Sequence, residues 1–209
     1  MANIAPEMRL FSPAGERLYL TAEERTRFLK AADEKDRIER MFCQMLYYTG
    51  CRPSEALELT TGRVLIDEKS IIFRCLKKRK KDGKGRVKQP EYRTVPVPNI
   101  FIENLDLVFD IRRRQKKKER LKDVLFPFSR PTAYRIVKSV MNLANIKGKQ
   151  ATGKGLRHSY GVSMVSGSKP LHIHILAQLM GHSSTKTTEV YLQFVGEEKR
   201  KLVMEAWGE

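Results

Sequence analysis

The sequence is poor in cysteine, in long apolar runs and in export signals. Its three cysteines, Cys43, Cys51 and Cys75, are an odd number with no CxxC spacing, which argues against both a disulfide framework and a zinc site. We expect reduced thiols, most of them buried. No apolar stretch approaches the roughly 20 residues that span a bilayer, and the N-terminal segment lacks the apolar core of a signal peptide. These absences predict a soluble, cytoplasmic protein without a membrane partner.

Several motifs of cofactor chemistry are also missing. The sequence contains no DxD-type carboxylate cluster, no HExxH segment and no Walker loop. Such patterns hold catalytic metals or nucleotide phosphates in many enzymes. The sequence therefore makes no case for a metal ion, a nucleotide or any other cofactor.

Basic residues dominate what is present. Lys and Arg number 41 against 24 Asp and Glu, which leaves a formal net charge of +17. Many of the basic residues lie in two tracts, at 77–93 and 112–122. One charged tract is more often a solvated surface, but two tracts and a global excess favour a polyanion, and neither tract has the apolar face that a membrane surface would require. We therefore expect a nucleic acid partner.

The chain length and the residue patterns predict one domain of mixed class. A chain of 209 residues can bury one sizeable core but not comfortably two. We predict an N-terminal arm at 1–18, the domain at 19–195 and a C-terminal helix at 196–209. The domain is expected to be mainly α with a small antiparallel β-sheet, an α+β fold.

Local signals place the first predicted elements. Thr21 and Glu24 form a capping-box pattern, a second helix stops at Gly50, and Pro53 suits the first position of a third, short helix. Residues 70–76 and 92–97 read as the strands of a hairpin. The lysine-rich loop between these strands would be free to reach a phosphate backbone.

The second half of the chain is predicted to be helical. Asn99 is expected to cap one long helix that carries the second basic tract. Further helices are predicted to open near Pro131, Leu156, Leu171, Thr185 and Glu197.

Three segments carry the most specific pattern. They read TGCRPSE at 49–55, KGLRHSYG at 154–161 and LAQLMGHSSTKTTEVY at 176–191. Together they resemble the tyrosine recombinase (phage integrase) family, which pairs a His-or-Lys-x-x-Arg segment with a Leu-x-Gly-His-Ser segment. The family also places a tyrosine nine residues after that histidine, and Tyr191 follows His182 at this spacing. The resemblance runs from about Tyr19 to Tyr191.

The resemblance implies an enzyme that cuts and rejoins DNA without a metal ion. Phosphodiester transfer needs a nucleophile, charge stabilisation and a proton for the leaving group. Tyr191 would form the 3′-phosphotyrosyl bond, Arg52 and Arg157 would clamp the phosphate, and His182 would donate to it and exchange a proton with Tyr191. A tyrosine of ordinary pKa is only about one-thousandth ionised at pH 7, so the positive field of the two arginines and of Lys154 would assist it.

Other assignments depend on the hairpin and on the first arginine motif. Where the family has its catalytic lysine, this sequence has Lys77, which would protonate the leaving 5′-oxygen, although another lysine of the loop could take that role. Glu55 matches an acidic family position and would orient neighbouring side chains, while His158 is expected to pack or to hydrogen-bond. The residues expected to bind DNA are Lys78, Arg79, Lys80, Lys81, Lys84 and Arg86.

The expected partners are double-stranded DNA and further copies of the chain, in a tetrameric synapse. The C-terminal helix would either pack on its own domain or dock on a neighbouring protomer. Family members usually carry a separate N-terminal DNA-binding domain, and both a compact natural protein and a trimmed chain fit the sequence. Two other functions stay open, a type IB topoisomerase-like DNA relaxation and a non-catalytic DNA-binding accessory role.

Overall fold

The computed structural model describes residues 9–76, 89–167, 169–193 and 197–208. The helices are α1 (Ala22–Asp33), α2 (Arg37–Thr49), α3 (Pro53–Leu57), α4 (Asn99–Phe109), α5 (Ile111–Gln115), α6 (Arg130–Leu143), α7 (Gly153–Ser166), α8 (Ile173–Met180) and α9 (Glu197–Trp207). The strands are β1 (Val64–Leu65), β2 (Ser70–Arg74) and β3 (Tyr92–Pro96). Short 3₁₀ helices cover Thr61–Arg63, Lys118–Lys122, Thr185–Thr187 and Glu189–Gln193. The mainly helical α+β prediction is confirmed.

The first three helices begin and end where their local signals predict. The Thr21 hydroxyl accepts from the Glu24 backbone N–H at 3.2 Å, and the Glu24 carboxylate accepts from the Thr21 N–H at 2.9 Å. Gly50 ends α2 with a left-handed φ of 57°. Since a Cβ at Gly50 would also collide with the Tyr160 ring, only glycine fits this turn. Pro53 starts α3, as predicted.

The prediction of one long helix after Asn99 is wrong. Asp110 adopts a left-handed φ of 54°, which ends α4 and starts the much shorter α5. The break turns Ile111 into the core and lets the Arg112 backbone N–H donate to the Asp106 carboxylate at 2.8 Å. The second basic tract therefore lies on α5 and the following 3₁₀ helix, and Pro98 rather than Asn99 is the capping residue of α4.

Other helix starts shift by a few residues for local reasons. Ser129 caps α6 and places Pro131 in the first turn, where proline is tolerated. Thr152 caps α7, which therefore begins before Leu156. Thr185 opens a 3₁₀ turn instead of an α-helix.

The sheet is antiparallel in the order β1–β2–β3. The predicted hairpin strands pair in a register that sets Ile71 opposite Val95 and Phe73 opposite Arg93. The two-residue strand β1 was not predicted. The hairpin loop at 77–88 lies outside the described residues.

Two apolar clusters hold the domain together. The larger one fills the space between α1, α2, α4, α6 and the buried face of the sheet, and it includes the buried thiols Cys43 and Cys51, whereas Cys75 is partly exposed. The members of the smaller cluster are Leu10, Tyr19, Tyr160, Val162, Val165, Leu176, Met180, Val190 and Tyr191. Residues 9–18, the described part of the predicted arm, fold back so that the Leu18 N–H donates to the Leu10 carbonyl at 2.8 Å. Each helix in the described ranges is too short or too polar to cross a membrane.

Candidate active site

Arg52 stands at the start of α3, directly after the glycine turn that ends α2. Its side chain is 24% exposed, and its Nη1 donates to Oε1 of Glu55 at 2.9 Å. The same carboxylate accepts from the Arg52 backbone N–H at 2.9 Å. Because Glu55 holds both the backbone and one guanidinium nitrogen, Arg52 is oriented before any ligand binds.

Arg157 lies on α7 and connects distant parts of the chain. It is buried, and its Nη1 and Nη2 donate to the carbonyls of Gly50 at 2.7 Å and Met180 at 2.5 Å. Burial and the nearby charge of Arg52 lower the pKa of Arg157 to about 10, so the guanidinium keeps its charge at neutral pH. The fold thereby brings together the two arginines that the sequence separates by about half the chain.

A cleft of about 790 Å³ opens between α3, α6 and α7. Arg52, Glu55, Lys154 and Arg157 all line it. Lys154 is exposed in the first turn of α7, three residues before Arg157 and so on the same side of the helix. Four of the residues named from the sequence therefore share one cavity, three of them cations.

His182 is held between two partners that define its protonation. Its Nε2 lies 3.1 Å from Nη2 of Arg157, and its Nδ1 lies 2.7 Å from the Thr188 hydroxyl. Since a guanidinium can only donate, Nε2 accepts, and in the neutral ring the proton therefore sits on Nδ1 and is donated to Thr188. Burial, followed by the charges of Arg157 and Arg52, lowers the pKa of His182 to about 3. The ring is thus neutral at physiological pH.

Tyr191 is enclosed in the smaller apolar cluster. Its side chain is 0% exposed, its hydroxyl lies 3.3 Å from Nδ1 of His158, and its ring stacks on His182 with centroids 6.3 Å apart. Burial raises the pKa of Tyr191 to about 12, although the charges of Arg157 and Arg52 act in the opposite direction. The tyrosine is next to the other site residues, but in this conformation a phosphate in the cleft could not touch its oxygen.

Arg93 and Thr188 belong to the same network but were not identified from the sequence. Arg93 is buried and pairs with Glu55, with Nη2 and Oε2 2.6 Å apart. Burial alone would raise the pKa of Glu55, but the hydrogen bond and charge of Arg93, followed by the contacts with Arg52, lower it. A usable sequence signal existed for Arg93, because alternate residues of a strand share a face and Arg93 therefore shares its face with the apolar Val95, which is the buried face.

The remaining basic residues of interest lie in the two basic tracts. Lys77, Lys78, Arg79, Lys80, Lys81, Lys84 and Arg86 lie outside the described residues. In the second tract, Arg112 pairs with Glu103 and Asp106, and Arg113 pairs with Asp110. Part of the positive charge in this tract is therefore balanced within the domain.

A metal centre needs several ligating side chains that converge on one point. Across the described residues, no group of three or more His, Cys, Asp or Glu side chains is arranged to hold an ion. The ionisable groups around the cleft are mainly arginine and lysine, whose cations repel metal ions and attract phosphate. The site is therefore suited to an anion.

The fold and the site together define a known class of protein. Residues 18–197 match the phage integrase family model, and the chain belongs to this family. A tyrosine recombinase of Thermosipho africanus is 31% identical over 183 residues, which cover 87% of this chain and 59% of that protein. The chain thus spans about three fifths of the length of this curated relative.

Solved structures share the fold. The crystal structure of XerA recombinase superposes with a TM-score of 0.71 at 23% identity, covering 93% of this chain and 65% of that one. The XerH site-specific recombinase, solved in a post-cleavage complex with palindromic difH substrate, gives a TM-score of 0.67 at 21% identity, covering 100% of this chain and 58% of that one.

Proposed function

We propose that this chain is a site-specific recombinase that cleaves and rejoins double-stranded DNA through a 3′-phosphotyrosyl bond to Tyr191. The observation that carries the proposal is the convergence of Arg52, Arg157 and His182, from three separate segments, beside one cleft and one tyrosine. Membership of the phage integrase family and the fold shared with DNA-bound recombinases such as XerH support it.

The clamp arginines would bind the two non-bridging oxygens of the scissile phosphate. A guanidinium offers parallel donors that match this geometry and keeps its charge throughout the reaction. Glu55 would hold Arg52 for this task, and Lys154 at the rim of the cleft would add to the positive field. Since removal of one such donor commonly lowers a rate by about 100-fold or more, each arginine is expected to be essential.

Tyr191 would attack the phosphorus, so that the bond from Tyr191 Oη to phosphorus forms while the bond to the 5′-oxygen breaks. A neutral imidazole can take the phenolic proton, and we assign this role to His182, which would then donate to the phosphate as a cation. A bound phosphate would favour this step, since a nearby anion raises the pKa of a histidine. Lys77 stays our candidate for protonating the 5′-oxygen, with the other loop lysines as alternatives.

Attack also requires that Tyr191 leave its buried position. The segment that carries it, from His182 to Gln193, consists of two short 3₁₀ helices and connecting turns. Such turns have poorer hydrogen-bond geometry than an α-helix, so the segment can change conformation at a lower free-energy cost. We infer that engagement with DNA or with another protomer draws Tyr191 towards the cleft.

We further propose that the active assembly is a homo-oligomer on DNA, with a tetrameric synapse as its complete form. Helix α9 contacts α7, yet Val203 is 40% exposed and Trp207 is 75% exposed. Exposed apolar side chains on a terminal helix favour docking on a neighbouring protomer over packing on the same domain. Truncation before Glu197 should then weaken cooperative assembly on DNA while leaving the Tm of the domain nearly unchanged; unaltered assembly would contradict this role.

The proposed activity can be tested with nicked suicide duplexes that trap the covalent intermediate. A labelled pool with a randomised central region would be incubated with the protein, and denaturing electrophoresis would separate the adducts. We expect a covalent adduct with wild type and with Tyr160→Phe, a buried tyrosine of the same cluster, but none with Tyr191→Phe. Absence of a wild-type adduct from the whole pool would refute the activity, whereas adducts without sequence preference would indicate topoisomerase-like relaxation.

DNA affinity gives an independent test. If phosphate contacts dominate, the logarithm of the binding constant should fall by about 0.9 per logarithmic unit of salt for each neutralised phosphate. An affinity that does not change with salt would contradict the binding mode.

A further inference from the structure

Arg93 is a buried cation that contacts three separate elements. Its side chain is 6% exposed and that of Glu55 is 0% exposed. From strand β3, Nη2 and Nη1 donate to the two carboxylate oxygens of Glu55 at 2.6 Å and 3.2 Å, and Nε donates to the Leu179 carbonyl at 2.8 Å. The guanidinium therefore joins the sheet to α3 and to the end of α8.

The end of α8 makes a second contact with an arginine, one residue after Leu179. The last carbonyls of a helix have no partner within it. At the end of α8, the Leu179 carbonyl accepts from Arg93 and the next carbonyl, of Met180, accepts from Arg157 at 2.5 Å. Gly181 and His182 follow directly. Two buried guanidiniums thus anchor the backbone that delivers His182 to the site.

The contact with Glu55 determines how strongly this carboxylate holds Arg52. Arg52 reaches Oε1 with one nitrogen at 2.9 Å, while Arg93 contacts both oxygens. Without Arg93, the full negative charge of a buried carboxylate would be matched by Arg52 alone. Arg52 would then be drawn towards Glu55 at the expense of the phosphate in the cleft.

We propose that Arg93 is a positioning residue for DNA cleavage, which holds Glu55 and the end of α8 so that Arg52 and His182 keep their places around the scissile phosphate. Arg93 itself touches neither DNA nor the reacting atoms. The inference rests on the proposed strand-cleavage function. It predicts that changes at Arg93 lower the rate of the chemical step without weakening DNA binding.

Two substitutions separate this role from simple packing. Arg93→Lys keeps the charge but replaces a planar, multiple donor by a single nitrogen, which cannot bridge Glu55 and Leu179 together. Arg93→Gln removes the charge, so burial should raise the pKa of Glu55 and bring its protonation into the range of a rate measurement. The matched control is Arg74→Lys on the adjacent strand β2, which alters a partly exposed ion pair between Arg74 and Glu58.

The experiment measures three quantities for the full chain: the Tm, the affinity for a nicked suicide duplex, and the single-turnover rate of adduct formation at saturating DNA between pH 5.5 and 9. For Arg93→Lys we expect a rate about 10- to 100-fold below wild type, as a small misplacement of catalytic groups produces, with an affinity within about twofold. For Arg93→Gln, the rate should rise with pH through an inflection that wild type lacks, since ionised Glu55 is the form that orients Arg52. Arg74→Lys should match wild type.

Two outcomes would overturn the role of Arg93. One is a folded Arg93→Lys variant that cleaves within about twofold of wild type over the whole pH range. The other is a DNA affinity well below that of wild type together with a wild-type rate at saturating DNA, which would make Arg93 a binding residue. If Arg93→Gln does not fold, the result with Arg93→Lys decides between these cases. A wild-type protein that forms no adduct would refute the proposed function itself, and this outcome is distinct from both.

Discussion

The proposed phosphate clamp, Arg52 and Arg157, and the proposed nucleophile segment, residues 182–193, lie side by side but are held in different ways. Arg52 and Arg157 project from helices α3 and α7, and their partners are a buried carboxylate and two backbone carbonyls. Tyr191 instead belongs to a 3₁₀ helix beside the smaller apolar cluster, where its partners are two histidine rings. The two arginines are therefore held by polar contacts on helices, whereas Tyr191 is held mainly by apolar packing and ring contacts.

Under the proposed function, this difference would separate recognition of DNA from attack on it. Arg52 and Arg157 both line an open cleft. The tyrosine is enclosed, and burial holds its pKa at about 12. Under the proposed function, a chain in this conformation would bind DNA without cutting it, and cleavage would depend on movement of the segment that carries Tyr191.

The largest expected effect distinguishes the two arginines of the clamp. Arg157→Ala leaves the buried carbonyls of Gly50 and Met180 without their donors, so the free energy of unfolding should fall by about 2–5 kcal/mol. Arg52→Ala leaves Glu55 paired with Arg93, and its cost should stay below about 1 kcal/mol. Both should lower the cleavage rate by about 100-fold or more. Denaturant unfolding beside single-turnover cleavage checks the contrast, and equal losses of stability would contradict it.

The second effect concerns acid stability and His182. The pKa of His182 is about 3 in the folded chain against an ordinary 6.5, so between these values the folded state binds fewer protons than the unfolded state. This contribution to stability is complete above pH 6.5 and is lost as the pH falls towards 3. When the pH falls from 7 to 4, we expect His182→Gln to lose about 2 kcal/mol less free energy of unfolding than wild type does. This difference is equivalent to roughly 4 °C or more in Tm.

The matched control for this measurement is His174→Gln. His174 is exposed on α8, so its replacement should preserve the acid sensitivity of wild type. Parallel Tm curves for wild type and His182→Gln between pH 7 and 4 would show that His182 is not held neutral by the fold.

The third effect tests whether the Tyr191 ring is buried in the absence of DNA. A Cβ at Gly161 would lie 2.6 Å from the Tyr191 ring, closer than atoms can approach. Gly161→Ala should therefore displace the ring, lower the free energy of unfolding by about 1–3 kcal/mol and increase nitration of Tyr191 by tetranitromethane. Gly167→Ala, at the end of the same helix, meets only the Ser163 carbonyl at 3.3 Å and serves as the control. Unchanged nitration of Tyr191 in a folded Gly161→Ala variant would contradict the expected displacement of the ring.

Local signals were sufficient for much of the fold. The Thr21 cap, the Gly50 turn and the hairpin strands depend on near neighbours in sequence, and the structure confirms them. The break at Asp110 could not be predicted in this way. Its left-handed backbone accompanies the burial of Ile111, a tertiary effect, and a hydrogen bond from the Arg112 backbone N–H to the Asp106 carboxylate.

The candidate site shows the same division. Spacing between motifs identified residues that the structure brings together, because their order follows a family pattern. Spacing carries no information about conformation, so the burial of Tyr191 against Gly161 was not foreseen. Arg93 was one basic residue among many in its tract, and only its inward position on β3 distinguishes it.

The smallest expected effect concerns Thr188, whose partner His182 also contacts Arg157 of the clamp. Thr188 accepts the Nδ1 proton of His182 at 2.7 Å and so fixes the tautomer whose Nε2 can accept a proton from Tyr191. Thr188→Val keeps the shape of the side chain but removes this acceptor, and we expect a loss of about 1 kcal/mol, equivalent to about fivefold in the cleavage rate at saturating DNA. Thr187→Val, one position away, should leave the rate unchanged. If both variants cleave at the wild-type rate, the tautomer of His182 is set by Arg157 alone. The protonation of the nucleophile segment would then depend on the clamp and not on Thr188.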